Sequence, residues 1–495
     1  MNSATATSSA TSRLGRANGR PADSRRRLWA RPLRWTDPVV RLMVLALPVA
    51  KVVGIATVNP SIYPDTNGYR RPGTWLDFSL TSLDGTSQRP WGVTIWLALW
   101  PGDHGIMIGQ ALLSAVAWGA LALVVSAGIR QATVRRLTAA ALVLIPCTAQ
   151  IGNWDSVIQG DSVSMSTAIL ALAALVWFTR EPTWGRGATF GAAALWLTMT
   201  RPNVFVILVG WALGLLVIAV LRRRLVVWAV AALLLLFSGY SYVYNMRSDA
   251  AWTALHGFSR STVSYAYPIG PFNPVAPQIV ADLRKSDAPP CMIPEGERLN
   301  APQGLFKWVS ETVPKCPGMN TWATENWQRW YINWLLTHPK STIRVIDSQI
   351  LYSLAPTVWG NVVAATPNSV AALFIGTPSV PQDAHPKKSY HVQPLILWGL
   401  AALGLAFAAR RRGRWRGSPW AVDIALAASV AGGLLCAISS DLLIQTVPWE
   451  VAQESLASAV VITAALVAGV GLGIDRVLSP GQRAVAAIPT GGPAA

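Results

Sequence analysis

The sequence predicts an all-α integral membrane protein. About ten transmembrane helices, interfacial helices in a first exported loop and one long exported segment account for its length. Three observations carry this. The 495 residues are 52% hydrophobic and only 13% charged, against about 25% charged in an ordinary soluble chain. Apolar runs near spanning length recur along it, and a span needs about 20 residues, fewer where neighbours cover its ends. The cations are also distributed unevenly between alternate loops. With the N-terminus inside, cytoplasmic segments hold 24 Lys/Arg against 4 Asp/Glu and exported ones 16 against 18, leaving Lys51 and Asp423 within spans. This is the positive-inside pattern. The net charge of +18 therefore reports topology and contact with anionic membrane lipids, and nucleic acid is excluded as a partner.

Taken in order, residues 1–38 form a basic tail rich in Ala, Ser, Thr and Arg with no apolar pattern, expected to lie disordered against the inner leaflet. Runs at Val39–Val58, Gly105–Ile129, Leu137–Ile151, Val163–Thr179, Ala188–Thr200, Val204–Leu221 and Leu225–Val243 make a transmembrane module over 39–243. The arginines Arg130/Arg135/Arg136, Arg180/Arg186, Arg222–Arg224 and Arg410–Arg416 then all fall inside. The first run is too long for a signal-peptide core and is expected to remain as an anchor.

The first exported loop, 59–104, carries Tyr63-Pro-Asp65-Thr-Asn-Gly-Tyr69, a turn whose Pro, Asn and Gly fix the backbone locally. Asp65 is either a solvated turn residue or a carboxylate presented at the membrane surface. Arg89-Pro90 follows, and then Trp91–Trp100, too short to span and suited to the interface. A second exported turn carries Asn153, Trp154, Asp155 and Gln159, and Gly160-Asp161-Ser162 opens the next helix. Asp161 or Ser162 would ordinarily cap that helix. A carboxylate at the same surface as Asp65 can also join it in binding a divalent metal or orienting an acceptor. Thr198-Met-Thr-Arg201-Pro202-Asn203 sets a guanidinium between two apolar runs, with Pro202 preventing smooth continuation. Arg201 either snorkels to the interface or holds phosphate, which its planar fork suits.

Residues 244–392 form the long exported segment. It contains Cys291 and Cys316, expected to form a disulfide in an oxidising compartment; Cys147 and Cys436 fall in spans as packed thiols. Trp327, Trp330, Tyr331, Trp334 and Leu335 recur at helical spacing and predict an amphipathic helix resting on the bilayer, continuing into Ile343–Leu354, with a saccharide platform as the alternative. His256, His338, His385 and His391 lack metal-ligand spacing. Runs at Leu395–Ala409, Ala421–Ser439 and Ser455–Gly473 make the C-terminal module, 393–475, and 476–495 is a Gly/Pro/Ala-rich tail expected to be disordered inside, like the N-terminus. Between the last two spans Asp441, Glu450 and Glu454 reach the exported surface, as solvated or capping acids or as acceptor-binding groups. The chain has no Walker loop, dinucleotide fingerprint, nucleophile elbow or zinc spacing, and no internal repeat of the transporter kind.

The order of a first span, Asp65-Thr-x-x-Tyr69, Arg89-Pro90, Asp161-Ser162 opening a helix, and Leu197-Thr-Met-Thr-Arg201-Pro202 ending one resembles the GT-C membrane glycosyltransferases. Within them it is most similar to the protein mannosyltransferase and aminoarabinose-transferase-like set, in its actinobacterial form. The resemblance covers about 39–221. It implies a transferase of the cell envelope, with its active site on the exported side of the membrane. The donor would be a sugar on a polyprenyl phosphate and the acceptor an exported glycan, lipid or protein. Carried over, the catalytic acid of the first loop falls on Asp65, and Tyr69, Arg89, Asp161, Arg201 and Glu450 are candidates for substrate binding. The family's paired acids are here one Asp between Pro64 and Thr66, so the resemblance assigns no metal site and leaves a divalent metal open. A lipid or sugar-lipid translocase and a non-catalytic scaffold are the other classes compatible with these spans.

Overall fold

A computed structural model describes residues 37–56, 58–62, 66–69, 91–271, 273–300, 305–354, 420–443 and 455–478. Its described residues are helical, without a β-sheet. A first set of helices builds a membrane bundle: α1 (Pro38–Ile55), α2 (Trp91–Ala98), α3 (Gly102–Ser126), α4 (Ala132–Leu144), α5 (Gly160–Arg180), α6 (Trp184–Thr198), α7 (Phe205–Arg222) and α8 (Leu225–His256). Smaller helices α9 (Arg260–Ala266), α10 (Ala276–Leu283), α11 (Leu305–Thr312) and α12 (Gln328–Thr337) follow, and then α13 (Pro339–Leu354). Two more long helices, α14 (Trp420–Leu443) and α15 (Leu456–Leu478), return to the bundle.

Seven of these are long and apolar enough to cross a membrane: α1, α3, α5, α7, α8, α14 and α15. Two more of the ten expected runs are helices of lesser length. α4 has 13 residues and passes into a 3-10 turn at Ile145–Cys147, where Pro146 interrupts the ladder. α6 has 15 and ends before Pro202. The run 395–409 lies outside the described residues.

Local chemistry sets the ends. Asp37 caps α1, its carboxylate accepting from the Val39 amide at 3.0 Å, and Pro38 occupies the first helical position. α8 stops at Gly257, whose φ of 79° is the left-handed conformation that glycine adopts without strain. At about 1.5 Å per residue its 32 residues run ~48 Å, well beyond a ~30 Å hydrocarbon layer.

α5 is central, buried along nearly its whole length and packed by α3, α6 and α15. Lipid tails compete equally for apolar side chains, so close approach of small residues matters more here than hydrophobicity. At the contact of α7 with α14, a Cβ on Gly210 would stand 2.7 Å from the Gly432 Cα.

The bundle has two distinct ends. At one, Arg135 and Arg136 pair with Asp37, Arg476 pairs with Asp423, Arg222 lies over Trp420, and Asp475 accepts from the amides of Arg130 and Gln131. The hydrogen bonds from Arg135 lead in holding the Asp37 carboxyl below its ordinary range. The other end carries the loops.

Beyond the loop end, α9 to α12 enclose a second core that includes Tyr265, Met292, Trp322, Trp327, Tyr331 and Trp334. Cys291 and Cys316 are joined by a disulfide there, Cα to Cα 5.5 Å. This corrects the reading of the aromatic stripe. Trp327, Tyr331 and Trp334 are buried and stacked along one face, with Trp330 and Leu335 packed against the same core, instead of resting on lipid. The reason is that the rings join the aliphatic side chains of a small domain's interior, where their polar tips find partners. Tyr331 donates to the Leu442 carbonyl (2.9 Å) and Trp334 to Asp282 (3.1 Å). Burial pushes the Asp282 carboxyl up, but hydrogen bonds from Lys285 and Trp334 outweigh it and leave it lowered. The outer face instead exposes Ile332 (53%) and Leu336 (76%). α13 leaves this domain alongside α14, and Ile350 packs against the cluster of Ala437, Ile462 and Leu466 in the two last spans.

Candidate functional site

At the loop end, three pieces of chain distant in sequence meet around the start of α5. The first is the stretch after α1. Ser61 makes a parallel bridge with Val157: its amide donates to the Ser156 carbonyl (2.8 Å) and its carbonyl accepts from the Ile158 amide (3.1 Å). A single helical turn, Thr66–Tyr69, follows, with Thr66 and Tyr69 buried. The Tyr69 hydroxyl lies only 3.1 Å from where a Cβ on Gly160 would stand, and Val93 of α2 is at 3.2 Å. Glycine at 160 is therefore what lets the tyrosine ring lie across the first turn of α5.

The second piece is the turn Asn153–Ser156 and the entry to α5. The cap position is Gln159, so Asp161 stands inside the first turn, where a carboxylate is favoured by the helix dipole. It is almost wholly buried and forms an ion pair with Arg201. Neither sequence reading of Asp161, helix capping or metal or acceptor binding, anticipates this contact with Arg201. Ser162 donates to the Asp155 carboxylate at 2.6 Å, and Asp155 in turn pairs with Lys51 of α1.

The third piece is the end of α6. Thr200 closes the helix by donating to the Leu197 carbonyl (2.6 Å), and Pro202 begins a 3-10 turn. Arg201 between them is 8% exposed. Its environment is thus a paired interior one, not that of a side chain snorkelling to water. α2 docks on the same corner: the Gly92 amide donates to the Met199 carbonyl (2.9 Å), and a Cβ at Gly92 would lie 2.7 Å from that oxygen. Trp196 donates to the Gly92 carbonyl (3.4 Å) and its ring packs on Trp96.

Of the residues singled out from sequence, Tyr69, Asp161 and Arg201 are thereby brought to one corner of the bundle. Asp65, Arg89 and Glu450 lie outside the described residues. Ser61 and Thr66 bracket Asp65 in sequence, and Arg89 lies two positions before the start of α2. Lys51, Asp155 and Gln110, which join this corner to α1 and α3, received no role from sequence. The available signal was a lysine inside an apolar span, which is costly unless paired. Among the described residues no group of three or more His, Cys, Asp or Glu stands together as metal ligands.

Chemically, the corner offers a buried guanidinium, a carboxylate it neutralises, a phenol, and a docked loop at the end of an apolar bundle. A guanidinium in such surroundings suits a phosphate ester whose hydrocarbon remains in lipid. No protein-family model matches the chain, and no curated protein matches it. Among solved structures it is similar to the archaeal oligosaccharyltransferase AglB from Archaeoglobus fulgidus, in complex with an inhibitory peptide and a dolichol-phosphate. The TM-score is 0.38 and the identity 11%, over 92% of this chain and 53% of that one. The chain thus spans about half the length of that protein.

Proposed function

We propose that the chain is a membrane glycosyltransferase that moves a sugar from a polyprenyl-phosphate donor to an exported acceptor, by a single inverting displacement at the loop end of the bundle. The observation that carries the reading is the docking of Ser61 and Thr66–Tyr69 against the turn before α5, beside the Asp161–Arg201 pair. Ser61 and Thr66, which flank Asp65 in sequence, support placing that loop's chemistry beside the buried cation.

In this reading Asp65 accepts the proton of the acceptor hydroxyl as its oxygen bonds to the anomeric carbon. The bond from that carbon to the phosphate oxygen breaks, and polyprenyl phosphate leaves. Arg201 and Arg89 meet the charge growing on it, while Asp161 holds Arg201 in place until the phosphate arrives. Tyr69 and Glu450 take part in holding the substrates. An ionised Asp with its ordinary pKa of about 4 is already in the basic form at neutral pH. The loop end faces the exported side, with the arginine end and both termini in the cytoplasm, as the distribution of cations favours.

Transfer of labelled sugar from a polyprenyl-phosphate donor, by the full chain in lipid nanodiscs, tests this. Asp65→Asn keeps size and polarity but removes the proton acceptor. Turnover should fall at least ~10²-fold with little change in donor affinity. Arg201→Lys retains charge and loses the fork, so donor affinity should weaken along with rate. Near wild-type transfer by Asp65→Asn would sink the assignment.

A further inference from the structure

Lys51 lies one turn before the loop end of α1, close enough to that end for a long side chain to snorkel into water. It does the opposite. Its side chain turns inward, is 2% exposed, donates to the Pro146 carbonyl (2.7 Å) and pairs with Asp155. A buried lysine in a membrane helix is costly, so its contacts are the place to look for a function.

Those contacts converge on one short piece of backbone. Asp155 receives Lys51 on one side and the Ser162 hydroxyl on the other, linking α1 to the first turn of α5. Gln110 of α3 donates its amide to the carbonyls of Asp155 and Val157, both at 2.9 Å. The same turn pairs with Ser61 through Ser156 and Ile158. Lys51 thus ends the network on one face, and Ser61 ends it on the other.

We infer that the Lys51–Asp155 pair is a positioning device: it clamps the turn 153–159 so that the first loop and the start of α5 keep a fixed register. It touches no substrate. It acts through Ser61 on the loop bearing Asp65, and through Ser162 on the turn of helix bearing Asp161. Its catalytic consequence rests on the function proposed above; the clamp itself does not.

A pair that only stabilised the fold could be replaced by a neutral pair of similar shape with little loss. The test is therefore the double variant Lys51→Met with Asp155→Asn, which leaves no unmatched buried charge and keeps an acceptor for Ser162. In the full chain in nanodiscs its unfolding temperature should stay near wild type. Amide exchange at Ser61 and Ile158 should nonetheless accelerate on the order of tenfold, as local opening becomes easier, while the Gly92 amide, bonded to Met199, is unaffected. Turnover should fall by about 10²-fold at similar donor KM, the size expected of a small misplacement. Lys51→Arg is the second variant, made beside a small cavity lined by Ala50, Gly54, Ile55, Pro146, Cys147 and Gly152. It keeps the charge and changes the geometry, so exchange at the same two amides should also rise. Wild-type exchange at Ser61 and Ile158 in both variants would overturn the clamp. If the wild-type chain transfers no sugar, the function proposed above fails, and the exchange data still decide the clamp.

Discussion

The two ends of the bundle use the same ions in opposite ways. At the arginine end, cations outnumber acids and reach water: Arg135 and Arg136, around Asp37, are 20% and 46% exposed at the side chain. At the loop end, Lys51 pairs with Asp155 and Arg201 with Asp161, and none of these four side chains is more than 10% exposed. An excess of solvated cations suits a boundary with an anionic leaflet. Matched, enclosed pairs do nothing for lipid contact and are a weak source of stability, because desolvation offsets most of the attraction. Their use at the loop end is to fix where particular groups stand.

The largest effects should follow from breaking a pair at the loop end. Asp161→Asn would cap α5 about as well as aspartate, were capping its role. Since it pairs with Arg201, the substitution instead removes a carboxylate from a buried ion pair, a loss of ~3–5 kcal/mol. Unfolding in lipid and sugar transfer should both show it. A second change at Arg201, to Met, should recover stability and not transfer. Full transfer by the double variant would show that the pair is architectural and that the loop end resembles the other end after all.

Cys291→Ser with Cys316→Ser perturbs neither end directly and serves as a control on the comparison. Loss of this cross-link in the small domain should cost ~2–4 kcal/mol of that domain's stability. α8 runs unbroken into the domain and Tyr331 bonds the end of α14, so its loosening should be felt at α14 before α5. Exchange of amides in 319–337 should rise while Ser61 and Ile158 stay protected. Equal loss at both would mean that the appended domain, and not the Lys51 network, holds the loop.

These contrasts bear on what the sequence could reveal. The helical membrane class follows from composition and apolar runs, and the arginines that share one end were visible as a count. α4 stops before the end of its apolar run because Pro146 interrupts the ladder inside it, and α6 ends at Thr198, ahead of Pro202. Arg201 was conspicuous, because a charge flanked by apolar runs and a proline has few ordinary explanations. Its partner was not, since a one-dimensional pattern does not tell a capping Asp from a paired one. Lys51 and Asp155 lie in different helical hairpins, and only the packed bundle joins them. The aromatic stripe had the right period and the wrong medium opposite it: periodicity gives a face, whereas the domain's own core decides what that face meets.

The smallest effects belong to the arginine end, where two substitutions of Asp37 separate its parts. Asp37→Asn keeps an acceptor for the Val39 amide and removes only the charge. Arg135 and Arg136 both reach water, so no cation is stranded, and the loss should be ~0–1 kcal/mol. Asp37→Ala removes the cap as well and should add ~1 kcal/mol. Acid does what asparagine does. The Asp37 carboxyl is held below its ordinary range, chiefly by Arg135, so the folded state binds its proton less readily than the unfolded one. Its contribution is complete above the unfolded value of about 3.9 and fades as pH falls through the lower, folded one. Wild type should therefore approach Asp37→Asn in stability as pH drops below that value, and transfer at neutral pH should be the same in both. Loss of transfer in Asp37→Asn as deep as in Asp161→Asn would erase the distinction between the two ends.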